Sequence, residues 1–351
     1  MNRIVKVLVV DDSAYVRKMV TQMLSRSPFL EVVGTARDGR EALALAEELN
    51  PDVITCDLNM PEMDGVGFVH EQMARRPTPV VIISVASQSG EKVLAALDAG
   101  AVDFVQKPTA LASDRLLEVS DELLDKVKAA ALAPMRRVFA GAGAAPPAAA
   151  AVLAPVRART GAGNVDIVVI GISTGGPQAL KTMVPRFPAD LPVPIAVVLH
   201  MPVGYTEMYA RKLDEVSALS VKEAAEGDEV VPGVALIAPA GRHLLFRRVE
   251  GRVVAHLDMR PLDTQHRPSV DVLFQSAAET FGARALAVVM TGMGADGRQG
   301  AAWIKAQGGR VLTEAEESCV VYGMPRSVVE AGLSDASVTL ENMAVAIVER
   351  L

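Results

Sequence analysis

The chain has 351 residues, half of them hydrophobic and 22% charged, and its formal net charge is −7. At about 150 residues per domain this length favours two folded domains, and the composition excludes a wholly disordered or collagen-like chain. The acidic balance argues against a protein that mainly contacts the phosphates of nucleic acid.

The first 129 residues alternate between short β-branched runs and helical patterns. The predicted strands cover residues 4–10, 31–36, 53–57, 79–84 and 101–105. The first of these runs is too short to span a membrane and leads into two aspartates, which is not the pattern of a signal peptide. Repeated alternation with right-handed crossovers predicts a five-stranded, doubly wound parallel sheet, with Ser13 as the N-cap of its first helix. Functional groups are expected at the carboxyl ends of the strands.

Residues 130–163 differ in composition from the rest of the chain. They contain 14 Ala, 4 Pro and 4 Gly, and they carry four arginines but no acid. We interpret this segment as a flexible linker, which divides the chain into a first domain at 1–129 and a second at 164–351. Both domains carry a net negative charge, −6 and −5 respectively.

The alternation resumes in the second domain, with predicted strands at 166–170, 194–199, 234–238 and 285–290. Short alternating segments on either side of Gly251 predict a β-hairpin inserted in the sheet. The fold class expected for residues 164–351 is therefore again a doubly wound α/β sheet, with an inserted hairpin.

Chemistry-bearing side chains follow four of the predicted strand ends in the first domain. Asp11, Asp12 and Asp57 would repel one another unless a cation lies among them, and their oxygen ligands suit Mg²⁺. Asp57 is then a candidate nucleophile for a phosphoryl group, and Lys107 and the Ser84 hydroxyl are placed to pair with its oxygens. A single acid at a strand end is usually a solvated loop residue or a helix cap, so the prediction depends on the whole set.

The segments Val-Val-Asp-Asp-Ser, Cys-Asp-Leu-Asn-Met-Pro-Glu-Met-Asp-Gly and Asp-Phe-Val-Gln-Lys-Pro resemble the signatures of response-regulator receiver domains. The resemblance implies that Asp57 accepts a phosphoryl group from a histidine kinase. It also implies Mg²⁺ at Asp11, Asp12, Asp57 and the main-chain carbonyl of Asn59. Ser84, Lys107 and the switch aromatic Phe104 would then sense the phosphoryl group.

The first strand of the second domain leads into Gly-Ile-Ser-Thr-Gly-Gly, which contains the G-x-S-x-G pattern around Ser173. In a nucleophile elbow the glycines permit a tight turn that exposes the serine hydroxyl beside main-chain N–H donors, here that of Thr174. A phosphate-binding or merely tight turn is the alternative, so the pattern requires a base and an acid elsewhere.

His200 directly follows the strand at 194–199, so it is expected at the same sheet edge as Ser173 and can act as a general base. Asp296 follows the strand at 285–290 and can orient that base, while the N–H of Met293 completes an oxyanion hole. His266 could line the cleft, but no acid at an equally convincing strand end precedes it. The order Ser173, His200, Asp296 is therefore preferred.

Residues 164–351 resemble the catalytic domain of the chemotaxis protein-glutamate methylesterases, the CheB family, through Gly-Ile-Ser-Thr-Gly-Gly-Pro, His-Met-Pro, His-Arg-Pro-Ser-Val-Asp-Val-Leu-Phe, Thr-Gly-Met-Gly-Ala-Asp-Gly and Ser-Cys-Val-Val-Tyr-Gly-Met-Pro. One departure is Leu199, where members commonly carry Gln. The resemblance implies hydrolysis of γ-glutamyl methyl esters on methyl-accepting chemoreceptors, and deamidation of receptor glutamines, without a cofactor. We further expect the receiver domain to inhibit the esterase until Asp57 is phosphorylated.

Two other classes of protein fit parts of this pattern. A response regulator with a DNA-binding output is opposed by the charge of the second domain, and a non-enzymatic adaptor is opposed by its intact Ser, His and Asp set. Cys56 and Cys319 have neither metal-site nor CxxC spacing, which favours reduced thiols in the cytoplasm. We expect no nucleic acid partner and no membrane insertion.

Overall fold

The computed structural model describes residues 3–84, 90–107, 113–133 and 164–351. It divides the chain into two compact units, with the described residues up to 133 in the first and those from 164 in the second. Most of the predicted linker, residues 134–163, lies outside the described residues, so the linker and its boundaries stay predictions. No helix within the described ranges is long and apolar enough to cross a membrane.

The first unit is a five-stranded parallel sheet in the order β2-β1-β3-β4-β5. Its strands are β1 (Val5–Val10), β2 (Leu30–Ala36), β3 (Val53–Cys56), β4 (Val80–Ser84) and β5 (Asp103–Gln106). Its helices are α1 (Ala14–Leu24), α2 (Gly39–Leu49), α3 (Gly65–Arg75), α4 (Gly90–Asp98) and α5 (Ser113–Ala130). The predicted doubly wound sheet is confirmed.

Local details of the first unit also follow from its sequence. Ser13 is the N-cap of α1, with its hydroxyl oxygen accepting the N–H of Val16 at 3.4 Å. Strand β5 begins two residues later than predicted, because the chain turns after α4 at Gly100, whose φ is +115°. Ala101 donates its N–H to the carbonyl of Ala96 at 2.9 Å and so belongs to the turn that follows α4.

The second unit contains a seven-stranded parallel sheet in the order β14-β13-β12-β6-β7-β9-β8. Its strands are β6 (Ile167–Ile172), β7 (Ile195–Leu199), β8 (Ser220–Glu223), β9 (Val234–Ile237), β12 (Ala285–Val289), β13 (Arg310–Glu314) and β14 (Ala336–Val338). Its helices are α6 (Gly176–Met183), α7 (Thr206–Glu215), α8 (Val270–Phe281), α9 (Arg298–Ala306), α10 (Met324–Glu330) and α11 (Leu340–Val348).

The hairpin of the second unit consists of β10 (His243–Val249) and β11 (Arg252–Asp258), which pair antiparallel. The sequence predicts it as an insertion in the α/β sheet, and the structure shows a separate two-stranded sheet. Three strands of the large sheet, β8, β13 and β14, were not predicted. Two of them lie at its edges and are short, and β8 exposes polar residues, so their hydrophobic signal is weak.

Strand β6 lies between β12 and β7 in the sheet. The chain first adds β7, β9 and β8 on one side of β6, and later adds β12, β13 and β14 on the other side. Such a reversal of strand order opens a crevice at the carboxyl ends of the strands, where α/β proteins commonly bind ligands. Helix α8 covers the sheet below this crevice with Val270, Leu273 and Phe274, all fully buried. The packing of α8 therefore sets the position of its N-terminus beside the crevice.

Candidate functional site

Ser173 is the first residue beyond β6 and lies in a tight turn. Its N–H donates to the carbonyl of Thr291 at 3.0 Å, and its own carbonyl accepts the N–H of Gly176 at 2.7 Å. Gly175 precedes α6 with φ +79°, a left-handed conformation that glycine adopts without strain. The turn has the strand-to-helix form expected of a nucleophile elbow, and Ser173 is half-buried in it.

Gly292 allows the loop after β12 to approach this turn closely. A Cβ atom at Gly292 would lie 2.7 Å from the Cβ of Ser173 and 2.5 Å from the sulfur of Met324. A larger residue at this position would therefore push the two loops apart. Met293, the predicted oxyanion donor, follows directly in the chain.

His200 and Asp296 form a hydrogen-bonded pair. The Nε2 atom of His200 lies 2.9 Å from Oδ2 of Asp296, and both side chains are 10% exposed. The backbone N–H of His200 donates to the carbonyl of Ile172 at 3.1 Å, which holds His200 next to the residue that precedes Ser173. The structure thus brings Ser173, His200 and Asp296 to one edge of the sheet.

The other ring nitrogen of His200 faces different surroundings. Nδ1 is buried and has no hydrogen-bond partner among the residues that the structure describes. With Asp296 accepting the proton on Nε2, the neutral ring keeps a lone pair on Nδ1. This nitrogen is the one able to accept a proton from an attacking group.

Asp296 also caps the N-terminus of α8. Its carboxylate accepts the hydroxyl of Ser269 at 2.9 Å and the backbone N–H groups of Val270 and Asp271 at 2.8 and 2.9 Å. Burial disfavours the carboxylate, but these bonds and that of His200 hold the pKa of Asp296 well below its ordinary value. It therefore stays ionised and fixed in orientation beside His200.

Asp271 in turn caps the loop that carries Asp296. It accepts the backbone N–H groups of Gly297 and Gly300 at 2.9 and 2.7 Å, at the start of α9. Burial and then the nearby charge of Asp296 raise the pKa of Asp271, against the bonds from these amides. Sequence reasoning missed this exchange of caps, although the run Ser-Val-Asp at a helix start is a signal for it.

His266 stacks on His200, with ring centroids 4.1 Å apart and an interplanar angle of 27°. The prediction that it could line the cleft agrees with this position. The stack holds one face of the His200 ring, while Asp296 holds its edge.

Leu199, the unusual neighbour of His200, is fully buried. Its Cδ1 atom packs against Gly176, where a Cβ atom would lie only 2.7 Å from it.

Thr291 links the two loops that carry the predicted oxyanion donors. Its hydroxyl donates to the carbonyl of Thr174 at 3.0 Å and accepts the N–H of Val321 at 3.0 Å. Thr174 is buried, and Met293 is half-buried. Neither Thr291 nor its partner Glu314, whose Oε2 accepts the Thr291 N–H at 2.9 Å, was singled out in the sequence.

Glu314 is fully buried, and burial raises its pKa from 4.5 to about 7. The folded chain therefore binds this proton more tightly than the unfolded chain, and the contribution of Glu314 to stability falls as pH rises from about 4.5 to about 7. We expect Glu314→Gln to raise the free energy of unfolding at pH about 8, by at most about 3 kcal/mol. Chemical denaturation of both proteins at two pH values measures this; an equal difference at acid and alkaline pH would contradict it.

The first unit gathers its predicted residues at the carboxyl ends of β1, β3 and β5. Carboxylate oxygens of Asp11, Asp12 and Asp57 lie within 4.8 Å of one another. The Nζ atom of Lys107 lies 2.7 Å from Asp11 and 2.8 Å from Asp57. Asp12 is exposed, whereas Asp11 and Asp57 are buried.

The ammonium of Lys107 and the carboxylates of Asp11 and Asp57 stabilise one another's charges. Burial opposes the charge of Lys107, yet its hydrogen bonds to Asp11 and Asp57 raise the pKa of the ammonium. Burial raises the pKa of Asp11 despite its bond to Lys107. One cation thus compensates two carboxylates only partly, which leaves the cluster suited to a second positive charge.

The remaining predicted receiver residues lie in or just after β3, β4 and β5. Ser84 is fully buried, and its carbonyl accepts the N–H of Lys107 at 2.7 Å. Phe104 is 2% exposed, and its carbonyl accepts a 2.6 Å bond from Lys126, whose ammonium lies 5.5 Å from the ring centroid. The side-chain oxygen of Asn59 accepts a 2.7 Å bond from Lys92. Sequence reasoning did not identify the two lysines.

Comparison with known proteins places each of the two units in a known family. Residues 7–119 match the response regulator receiver domains, and residues 168–347 match the CheB methylesterases. The chain is thus a response regulator with an enzyme-type output unit. It belongs to the CheB methylesterase family.

Several relatives cover almost the whole chain. A protein-glutamate methylesterase/protein-glutamine glutaminase of Myxococcus xanthus is 50% identical over 97% of this chain and 96% of its own. A namesake from Geobacillus kaustophilus is 44% identical over 98% of both chains. The crystal structure of the Thermotoga maritima CheB methylesterase catalytic domain, 43% identical, covers 53% of this chain and 99% of its own with a TM-score of 0.52.

Proposed function

We propose that the protein hydrolyses γ-glutamyl methyl esters on methyl-accepting chemoreceptors, releasing methanol, and deamidates receptor glutamines. The observation that carries this proposal is the arrangement of Ser173, His200 and Asp296 at one sheet edge in a chain of this family. Relatives that are 40 to 50% identical to this chain are named for this activity. Its role is then sensory adaptation in chemotaxis, in the cytoplasm.

The proposed reaction starts with Ser173. Its hydroxyl oxygen attacks the ester carbonyl while His200 takes the hydroxyl proton on Nδ1, and Asp296 stabilises the imidazolium. The N–H groups of Thr174 and Met293 stabilise the negative charge on the carbonyl oxygen. His200 then returns the proton to the leaving methoxide, which departs as methanol, and an acyl-enzyme remains.

Water completes the cycle. His200 takes a proton from a water molecule as its oxygen attacks the acyl carbon, and returns that proton to Ser173 as glutamate is released. Deamidation uses the same acyl-enzyme, with ammonia as the leaving group in place of methanol. The methyl ester and the glutamine are therefore hydrolysed at the same site.

The first unit fits the role of a phosphorylated switch. The carboxylates of Asp11, Asp12 and Asp57 match the oxygen ligands that Mg²⁺ prefers, and the main-chain carbonyl of Asn59 would complete the set. When bound, the ion offsets negative charge between the carboxylates and an incoming phosphoryl group. Asp57 would accept that group from a chemotaxis histidine kinase. Lys107 and Ser84 would pair with its oxygens, and Phe104 would respond to the change.

Phosphorylation of Asp57 is proposed to relieve an inhibition of the esterase by the receiver. A tenfold activation requires a free-energy difference of only about 1.4 kcal/mol between the inhibited and the active state. We expect residues 164–351 alone to release methanol from methylated receptor membranes faster than the unphosphorylated full chain. A phosphodonor should accelerate only the full chain.

Two outcomes would change this proposal. Background rates for every form, with well-folded protein, would contradict the esterase activity itself. A rate at background for residues 164–351 alone, beside an active phosphorylated full chain, would make the receiver purely an activator. The shorter chain is a sound comparison, because the Thermotoga maritima catalytic domain of similar extent was crystallised as a separate chain.

A further inference from the structure

Glu314 is a buried acid that the proposed reaction does not use. It ends β13, next to β12, and its side chain is fully buried. Its two oxygens have separate partners: Oε2 accepts the backbone N–H of Thr291 at 2.9 Å, and Oε1 accepts the hydroxyl of Ser318 at 3.0 Å. Burying a carboxyl group costs free energy, so its retention in the core calls for a reason.

Its partner Thr291 is in direct contact with the nucleophile turn. The Thr291 carbonyl accepts the N–H of Ser173 at 3.0 Å, and the Thr291 hydroxyl donates to the carbonyl of Thr174 at 3.0 Å. Gly292, the next residue, donates its N–H to Val321 at 3.0 Å and accepts those of Gly323 and Met324. Thr291 therefore bridges the turn that carries Thr174 and the loop that carries Met293.

We infer that Glu314 is a positioning residue: by holding the N–H of Thr291 it sets the spacing between the two N–H donors of the oxyanion hole. This inference rests on the proposed function. The donors belong to separate loops, and an oxyanion hole works only when both are aimed at one atom. Without Glu314 the Thr291 N–H would be buried and unpaired, and the loop would move to find another partner.

The charge of Glu314 adds a second consequence. The titratable groups that face it are Glu341 and Cys319; the charge of Glu341 opposes ionisation, whereas the hydrogen bond of Cys319 favours it. Burial raises the pKa of Glu314 to about 7, so it is neutral in acid and ionised in alkali. Ionised, it places a negative charge behind the loop where the reaction develops negative charge, which slows the reaction.

The test compares three variants of the full, phosphorylated chain. Glu314→Gln keeps an acceptor for Thr291 but cannot ionise, whereas Glu314→Leu removes the acceptor. Thr313→Val is the matched control: Thr313 is equally buried in the same strand, and its hydroxyl contacts Ser334 and Ser337 instead. Methanol release is measured for each between pH about 6 and about 9, and thermal unfolding confirms that each is folded.

We expect Glu314→Leu to lower kcat about tenfold to a hundredfold with little change in KM, because only the transition state needs the aligned donors. Glu314→Gln should keep kcat within about threefold at acid pH and lose the alkaline decline of the wild type. Thr313→Val should lower the unfolding temperature and leave kcat unchanged.

Wild-type kcat and pH profile in a folded Glu314→Leu variant would overturn the inference, as would an alkaline decline that persists in Glu314→Gln. An equal loss of kcat in Thr313→Val would also overturn it, since the effect would then come from general loosening of β13. If the wild-type chain itself releases no methanol, the proposed function fails. If the wild type is active and the Glu314 variants match it, the inference about Glu314 fails but the proposed function stands.

Discussion

Ser173→Ala is expected to lower methanol release by at least about a thousandfold, since loss of a serine nucleophile leaves only the residual effect of binding and the oxyanion hole. The substitution should leave the turn intact, because Ser173 is half-buried and the turn is held by its backbone bonds to Thr291 and Gly176. Alanine preserves those bonds. The variant should therefore fold normally and still accept phosphate at Asp57.

Ser217→Ala is the matched control for this experiment. Ser217 lies just after α7 in the same unit, and its hydroxyl donates only to the carbonyl of Leu213 among the contacts described. Its methanol release should equal that of the wild type. Hydrolysis at the wild-type rate by Ser173→Ala would place the nucleophile elsewhere in the chain.

His200→Ala and Asp296→Asn extend the same prediction. Residues that act as one unit give losses that do not add, so either change on top of Ser173→Ala should have almost no further effect. Asp296→Asn has an additional cost, because its carboxylate accepts four bonds and one amide cannot reproduce them. Unfolding curves separate this loss of the α8 cap from the loss of turnover. Losses that multiply would show that one residue acts outside the set.

The sequence was informative where residues of one kind recur. Runs of buried Val and Ile predict all five strands of the first sheet and the four central and neighbouring strands β6, β7, β9 and β12 of the second, and the parallel order of those strands brings their carboxyl ends together. Ser173, His200 and Asp296 each follow such a run, so the sequence predicts that they lie at one edge of the sheet even though it gives no distances between them. The three acids and Lys107 of the first unit were predicted in the same way.

What sequence reasoning missed depends on single contacts between distant segments. The bond from Glu314 to Thr291 spans 23 positions, and the helix caps made by Asp296 and Asp271 span about as many. An acid at the end of a short strand has no periodicity that marks it as buried, and a capping acid looks like any loop residue. The stack of His266 on His200, which helps to orient the His200 ring, is another such contact between distant segments.

Asp57→Asn is expected to abolish phosphate incorporation from a small acyl phosphate donor. The amide keeps the size of the side chain and one oxygen facing Lys107, but its nitrogen cannot form the acyl phosphate. Removing Mg²⁺ with a chelator should have the same effect on the wild type, because the phosphoryl group would otherwise meet three carboxylates compensated by one lysine. Incorporation is measured as a hydroxylamine-labile phosphoryl group on the intact protein.

Asp52→Asn provides the control beside the same strand. Asp52 immediately precedes β3, at the opposite edge of the sheet, where its carboxylate pairs with Arg3 at 2.7 Å. That variant should incorporate phosphate fully and respond to the donor with faster methanol release, whereas Asp57→Asn should keep its unstimulated rate. A labile adduct on Asp57→Asn would show that another group accepts the phosphoryl group. Acceleration of Asp57→Asn by the donor without an adduct would show that the donor acts on the esterase directly, because the receiver switch requires the covalent phosphoryl group.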